Sequence, residues 1–271
     1  MPPEMKDLLR GLARDGADAS PDAPASGGAQ ATRETGGPYT ALRARGLPAG
    51  AMTVRLDGAE ARVRVIDAGG LVNVNRAPRD GLARFFEARG LSSADAAALA
   101  DQIADWRDED SVPREFGAER DDYRARGVQI RNGPIRTLEE LLYLPAMTRE
   151  RFDLVREDLT LVGDGRVTAT TAPRAVLLSV PGMTPDAADA ILSARRAGAL
   201  RTLADLDEAV DRFTAGAVET GLRLDPTSHL RILVTPAGGG PTLAVEALVS
   251  DDRGVRILGW GPAGPGAAGL P

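Results

Sequence analysis

The chain has 271 residues, enough for one large or two small domains with a sizeable core, and 43% hydrophobic with 27% charged residues is an ordinary soluble globular composition. With no cysteine and a single histidine, His229, the sequence excludes thiol catalysis, disulfides, Cys/His zinc sites and any metal site that needs two imidazoles. A net charge of -6 argues against a general polyanion binder, which needs a surplus of Lys and Arg on one face.

No stretch reaches the roughly 18 to 20 apolar residues of a membrane helix, and the opening MPPEMKDLLRGLARDG is not a signal peptide, so the chain as written is expected to be soluble. Residues 4–14 suit one short helix through Met5, Leu8, Leu9 and Leu12, while 16–38 hold Ala, Gly, Ser, Pro, Asp and Thr with little to bury. Residues 1–38 are therefore expected to be an N-terminal segment and disordered linker. From Met52 the apolar residues alternate, through Val54 and Leu56 and then Val63 and Val65, which predicts two strands joined at Asp57-Gly58, a dipeptide that favours a tight hairpin.

After Asp67 the period changes from two to about 3.6 and remains helical for about 150 residues. Pro78, as a first-turn residue, opens a helix through Leu82, Phe85 and Phe86, and Ser92 caps a second through Leu99, Ile103 and Trp106. Further helices fit residues 137–144, 148–158, 174–179, 185–197 and 203–214. Strand patterns return at 230–235, 243–249 and 255–260, separated by Gly238-Gly239-Gly240 and by Asp251-Asp252-Arg253-Gly254. The expected fold class is α+β: an antiparallel sheet from residues 39–70 and 226–262, a large helical insertion over 71–225, and a flexible tail over 263–271.

The insertion contains an echo. VNVNRAPRDGL at 72–82 aligns with VTATTAPRAVL at 167–177, and LLYLPAMT at 141–148 with LLSVPGMT at 177–184. Two related helical subunits are expected, each with an extended piece leading through Ala-Pro into a helix, and with Thr148 or Thr184 capping the next helix.

The densest chemistry is at residues 100–123, with nine carboxylates. Asp101, Asp105 and Asp108 fall on one helical face, opposite Leu99, Ile103 and Trp106. Like charges at that spacing need a cation, and calcium accepts an all-oxygen ligand set. Counted from Asp108, Asp110 and Glu119 hold the third and twelfth positions of an EF-hand loop, but Val112 and Pro113 occupy the fifth and sixth, where a ligand and a glycine are required. Two readings stand: a non-standard calcium loop closed by Gly117-Ala118-Glu119, or a solvated acidic face paired with Arg107, Arg114, Arg120 and Arg124. Asn73 and Asn75 project from one side of an extended segment, where turn closure is the expected role. LLSVPGMTPDAADAILSARRAG, at 177–198, has a helix-hairpin-helix pattern, but Pro185 removes an amide and Asp186 and Asp189 bring negative charge, so packing is expected in place of phosphate binding. No catalytic constellation is present, and His229 has no nearby nucleophile motif.

In this order, IDAGGLVNVNRAP, DQIADWRDEDSVPREFGAERDDY, RNGPIRTLEELLYLPAMT and TATTAPRAVLLSVPGMT resemble the K-type minor pseudopilin of the type II secretion system, from about Asp67 to Leu206 and more weakly through the last strands. The resemblance implies a pilin-like antiparallel sheet with an inserted helical domain of helix-hairpin-helix-like (SAM-like) subunits. It also implies a non-enzymatic tip subunit of the pseudopilus on the periplasmic side of the inner membrane. Its implied partners are the I-type and J-type minor pseudopilins and, through them, the major pseudopilin and the secretion machinery, with no nucleic acid. It further implies structural calcium, with Asp105, Asp108, Asp110 and Glu119 as ligands by motif position. Two features depart from the family: the prepilin-processing site and long apolar helix, its only contact with the membrane, are missing from this sequence, and the second Asn-x-Asn element reads Thr168-Ala169-Thr170. The competing reading is a helix-hairpin-helix DNA-binding protein, such as a competence-type DNA receptor, whose hairpin resembles residues 167–206.

Overall fold

The computed structural model describes residues 40, 47, 51–56, 59–210 and 220–263; the expected linker, the Asp57-Gly58 turn, residues 211–214 of the last expected helix and the tail after Ala263 lie outside them. The chain divides into two compact units, one formed by residues up to Ile66 with Ser228–Ala263, the other by Asp67–Thr227.

The first unit is a five-stranded sheet. Strand β1 (Ala51–Leu56) pairs antiparallel with β2 (Ala59–Asp67), in register from Ala51 opposite Arg64 to Leu56 opposite Ala59. After the helical unit come β7 (His229–Pro236), β8 (Leu243–Ser250) and β9 (Gly254–Pro262), and the sheet order is β1-β2-β7-β8-β9. The β7–β8 and β8–β9 pairs are antiparallel, with a bulge at Glu246/Ala247. Alternate residues make the core: Val63, Leu230, Ile232, Val234, Val245, Ala247 and Val249 are buried together. On the opposite face of β7 and β8, Arg231 is directly across from Glu246 and bonds it at 2.6 Å. The α+β class and the antiparallel sheet expected from the sequence are what the chain forms.

The second unit is built twice from one plan. Strand β3 (Val72–Asn73) pairs in parallel with β4 (Leu159–Thr160), and β5 (Val167–Thr168) pairs in parallel with β6 (Leu222–Arg223). At equivalent places the chain then turns alike: Ala77 N donates to Asn73 O at 2.8 Å, and Ala172 N to Thr168 O at 2.9 Å. Each elbow feeds a helix, α1 (Arg79–Ala88) or α5 (Arg174–Leu177), with Pro78 or Pro173 at the N-cap. Pro78 thus precedes the first turn expected to contain it; its missing N–H is tolerated there because the cap position donates no helical bond.

Helix α2 (Ser93–Arg107) is capped by Ser92 as expected, and a short α3 (Arg120–Ala125), not expected from the sequence, follows the acidic loop. The expected helix at 137–144 is a 3-10 helix, Leu138–Tyr143, and that at 148–158 is α4 (Arg149–Val155) continued by one 3-10 turn, Arg156–Asp158. Helix α6 (Pro185–Arg196) and α7 (Leu203–Ala209) complete the unit. Thr148, Thr184 and Thr202 cap α4, α6 and α7 through their side chains. Leu82, Phe85, Phe86, Leu99, Ile103, Phe152, Leu177 and Ile191 are buried in its core.

Candidate metal centre

Helix α2 sets the site. Its apolar face holds Leu99, Ile103 and Trp106 in the core, yet Asp101 and Asp105, on the other face, are also buried. The loop after α2 folds back over them, and their carboxylates accept its amides. Phe116 N donates to Asp101 Oδ2, and Arg114 N and Ala118 N both donate to Asp105 Oδ2, each at 3.1 Å. Gly117 is required by this closeness, since a Cβ there would lie 1.7 Å from Asp105 Oδ2. Arginines supply the charge balance: Arg79 Nε reaches Asp101 Oδ1 at 2.7 Å, while Arg114 Nη1 bonds both Asp105 Oδ1 and, at 2.7 Å, Asp108 Oδ2. Asp105 is therefore an anchor for the loop. Burial pushes its carboxyl above the usual range, against the downward pull of Arg114.

The other three expected ligands come together. One oxygen each from Asp108, Asp110 and Glu119 lies within 4.8 Å of the others, and Asp105 is not in that group. Asp108 ends α2 at the C-cap, and Asp110 Oδ1 holds a tight turn by accepting Val112 N at 2.8 Å. Glu119 precedes α3 as its N-cap and is 5% exposed. Burial, and then the charges of Asp105 and Asp108, push the Glu119 carboxyl above the usual range.

Polar atoms without partners converge on the same place. Asp108 Oδ1, Glu119 Oε1 and Asn132 Oδ1 are all buried and accept no hydrogen bond. Burying such oxygens unpaired costs about 1–3 kcal/mol each, more for a charge. Hard oxygens from carboxylates and an amide, with no nitrogen or sulfur, form a donor set suited to calcium. The sequence reading did not include Asn132. It sits at φ 47°, donates through Nδ2 to Asp110 O, and lies 3.5 Å from Glu119 Oε2. Its signal was available in Asn132-Gly133, a dipeptide that favours a turn.

Asn73 closes a turn, as expected, whereas Asn75 ties its segment to a distant one. Asn73 accepts Asn75 N and donates to Val162 O and Gly163 O at 3.0 and 3.1 Å; Asn75 exchanges two bonds with Ile135, both at 2.9 Å. At the second hairpin, Thr184 Oγ1 caps Ala187, and Asp189 takes the Arg174 guanidinium at 2.7 Å, which occupies that cation with a carboxylate. No helix among the described residues is long and apolar enough to cross a membrane.

Residues 62–164 match the family described as type II secretion system (T2SS), protein K. No curated protein matches the chain. Among solved structures, the chain resembles one in the GspK-GspI-GspJ complex of the enterotoxigenic Escherichia coli type 2 secretion system, with a TM-score of 0.60 and 17% identity over 79% of this chain and 84% of that one. At this identity the likeness is one of fold.

Proposed function

We propose that this chain, whose residues 62–164 match the type II secretion system protein K family, is the tip subunit of a type II secretion pseudopilus. The observation that carries this reading is the reach of that match, from within β2 through the first elbow and the acidic loop to just past the strand that closes the first helical subunit. Its work is structural: it caps the filament through contacts with the I-type and J-type minor pseudopilins and through them joins the major pseudopilin. The site of action is the periplasmic face of the inner membrane. The helix-hairpin-helix DNA-binding alternative draws no support from the family match or the structural likeness.

A structural calcium ion belongs to the same proposal. Asp108, Asp110 and Glu119 hold it, with Asn132 beside them, and Asp105 serves the loop that places them. The ion would offset the repulsion of three carboxylates and give the unpartnered oxygens of Asp108 and Glu119 a partner.

Secretion in cells tests the role. Deleting the coding sequence should leave type II cargo in the periplasm, and supplying the chain in trans should restore export. Undiminished export in the deletion strain would contradict it.

A further inference from the structure

We propose that the cleft beside the C-terminal end of α2 is an oxyanion site, which takes a carboxylate or a tetrahedral oxyanion against Arg107. The cleft has a volume of about 400 Å3, and its lining includes Arg79, Arg107 and Arg114 together with Asn75, Asp108 and Pro134. That volume suits a small molecule, for which pockets run from about 300 to 1,000 Å3.

The three guanidinium groups differ in what holds them. Arg79 is paired with Asp101 and Asp80, and Arg114 with Asp105 and Asp108. Arg107 forms no ion pair among the described residues. Its Nη1 donates to Val74 O and its Nη2 to Ala77 O, the latter at 2.7 Å, so backbone carbonyls of the first elbow hold this guanidinium, and Asp108, which also lines the cleft, acts on it only through space and not as an ion pair. A guanidinium has five N–H donors in one plane, and two of them are accounted for; the remainder match a polyatomic oxyanion, which can accept two parallel bonds. Asn75 lines the cleft but spends its amide on Ile135, so recognition falls to the arginines. The inference does not depend on the role in secretion.

Titration calorimetry on the full chain, with sodium sulfate and separately with sodium malonate, at an ionic strength held constant with chloride, tests the proposal. Saturable binding of either anion at one site is expected, weakened at least tenfold in Arg107→Gln and unchanged in Arg174→Gln, whose guanidinium pairs with Asp189 instead. Preference for sulfate would assign a tetrahedral ligand, and preference for malonate a carboxylate. No heat beyond that of chloride, or full affinity in Arg107→Gln, would overturn it. If Arg107→Gln fails to fold, the Arg107 Nε–Hε resonance of the unmutated protein decides: a shift with sulfate or malonate but not with chloride supports the site, and an unmoved resonance overturns it.

Discussion

Glu119 concentrates the energetics of the acidic loop in one side chain. Because burial and like charge raise its pKa, the metal-free folded state holds a proton more tightly than the unfolded chain does, as does Asp105. Between the ordinary carboxylate values, 4.5 for Glu119 and 3.8 for Asp105, and the raised ones, the folded state binds more protons, so these groups make stability fall as pH rises. With chelator present, urea midpoints should show that decline. With calcium they should not, and the gap between the two curves should widen toward neutral pH; parallel curves would contradict the assignment. Near pH 7, calcium at about 100 times its Kd should add about 2.7 kcal/mol of stability. Asp108→Ala combined with Glu119→Ala should abolish that gain, and magnesium should replace calcium poorly because it demands a tighter octahedron and keeps its waters. Identical melting in calcium and chelator, with no heat of binding at millimolar ion, would leave the loop a solvated acidic face. The sequence pointed to this loop because carboxylates at helical and loop spacing can be counted. It did not separate Asp105 from the other three, because that division depends on the loop folding back to offer Asp105 its amides.

At the scale of elements, the two elbows and their hairpins were legible as a repeated pattern of Pro, Leu and Thr, since each residue type has a fixed task at a helix start. The short helix Arg120–Ala125 was not, because six residues bury only Tyr123 and leave no periodic stripe. The extended pieces at 72–73 and 167–168 were legible, but their parallel partners were not: those lie more than fifty residues away, and pairing of that kind leaves no local pattern. The ends of the helical unit are joined by Asp67, which is 1% exposed. Its carboxylate accepts Gly69 N at 2.9 Å, Thr227 N at 3.0 Å and the hydroxyls of Thr171 and Thr227. Asp67→Ala would strand these donors and should cost about 3 kcal/mol or more, read as a lower urea midpoint. Asp67→Asn keeps one acceptor oxygen and should lose less. A loss under about 1 kcal/mol for Asp67→Ala would show that the carboxylate is not what joins the first and last residues of the unit.

For the whole molecule, the change of hydrophobic period at Asp67 and the return of alternation at Leu230 carried the architecture, because sheet and helix bury apolar side chains at different spacings. How the chain meets other proteins has no such periodic signature. The account instead rests on the family match at residues 62–164 and on the fold likeness to a chain of the GspK-GspI-GspJ complex. Co-expression of this chain with the soluble domains of the I-type and J-type minor pseudopilins from the same genome, followed by size-exclusion chromatography with light scattering, tests the central claim most directly. The account predicts a single species containing all three in equal numbers, with this chain monomeric when alone. A folded chain that elutes apart from both, at micromolar concentration and with calcium present, would contradict it.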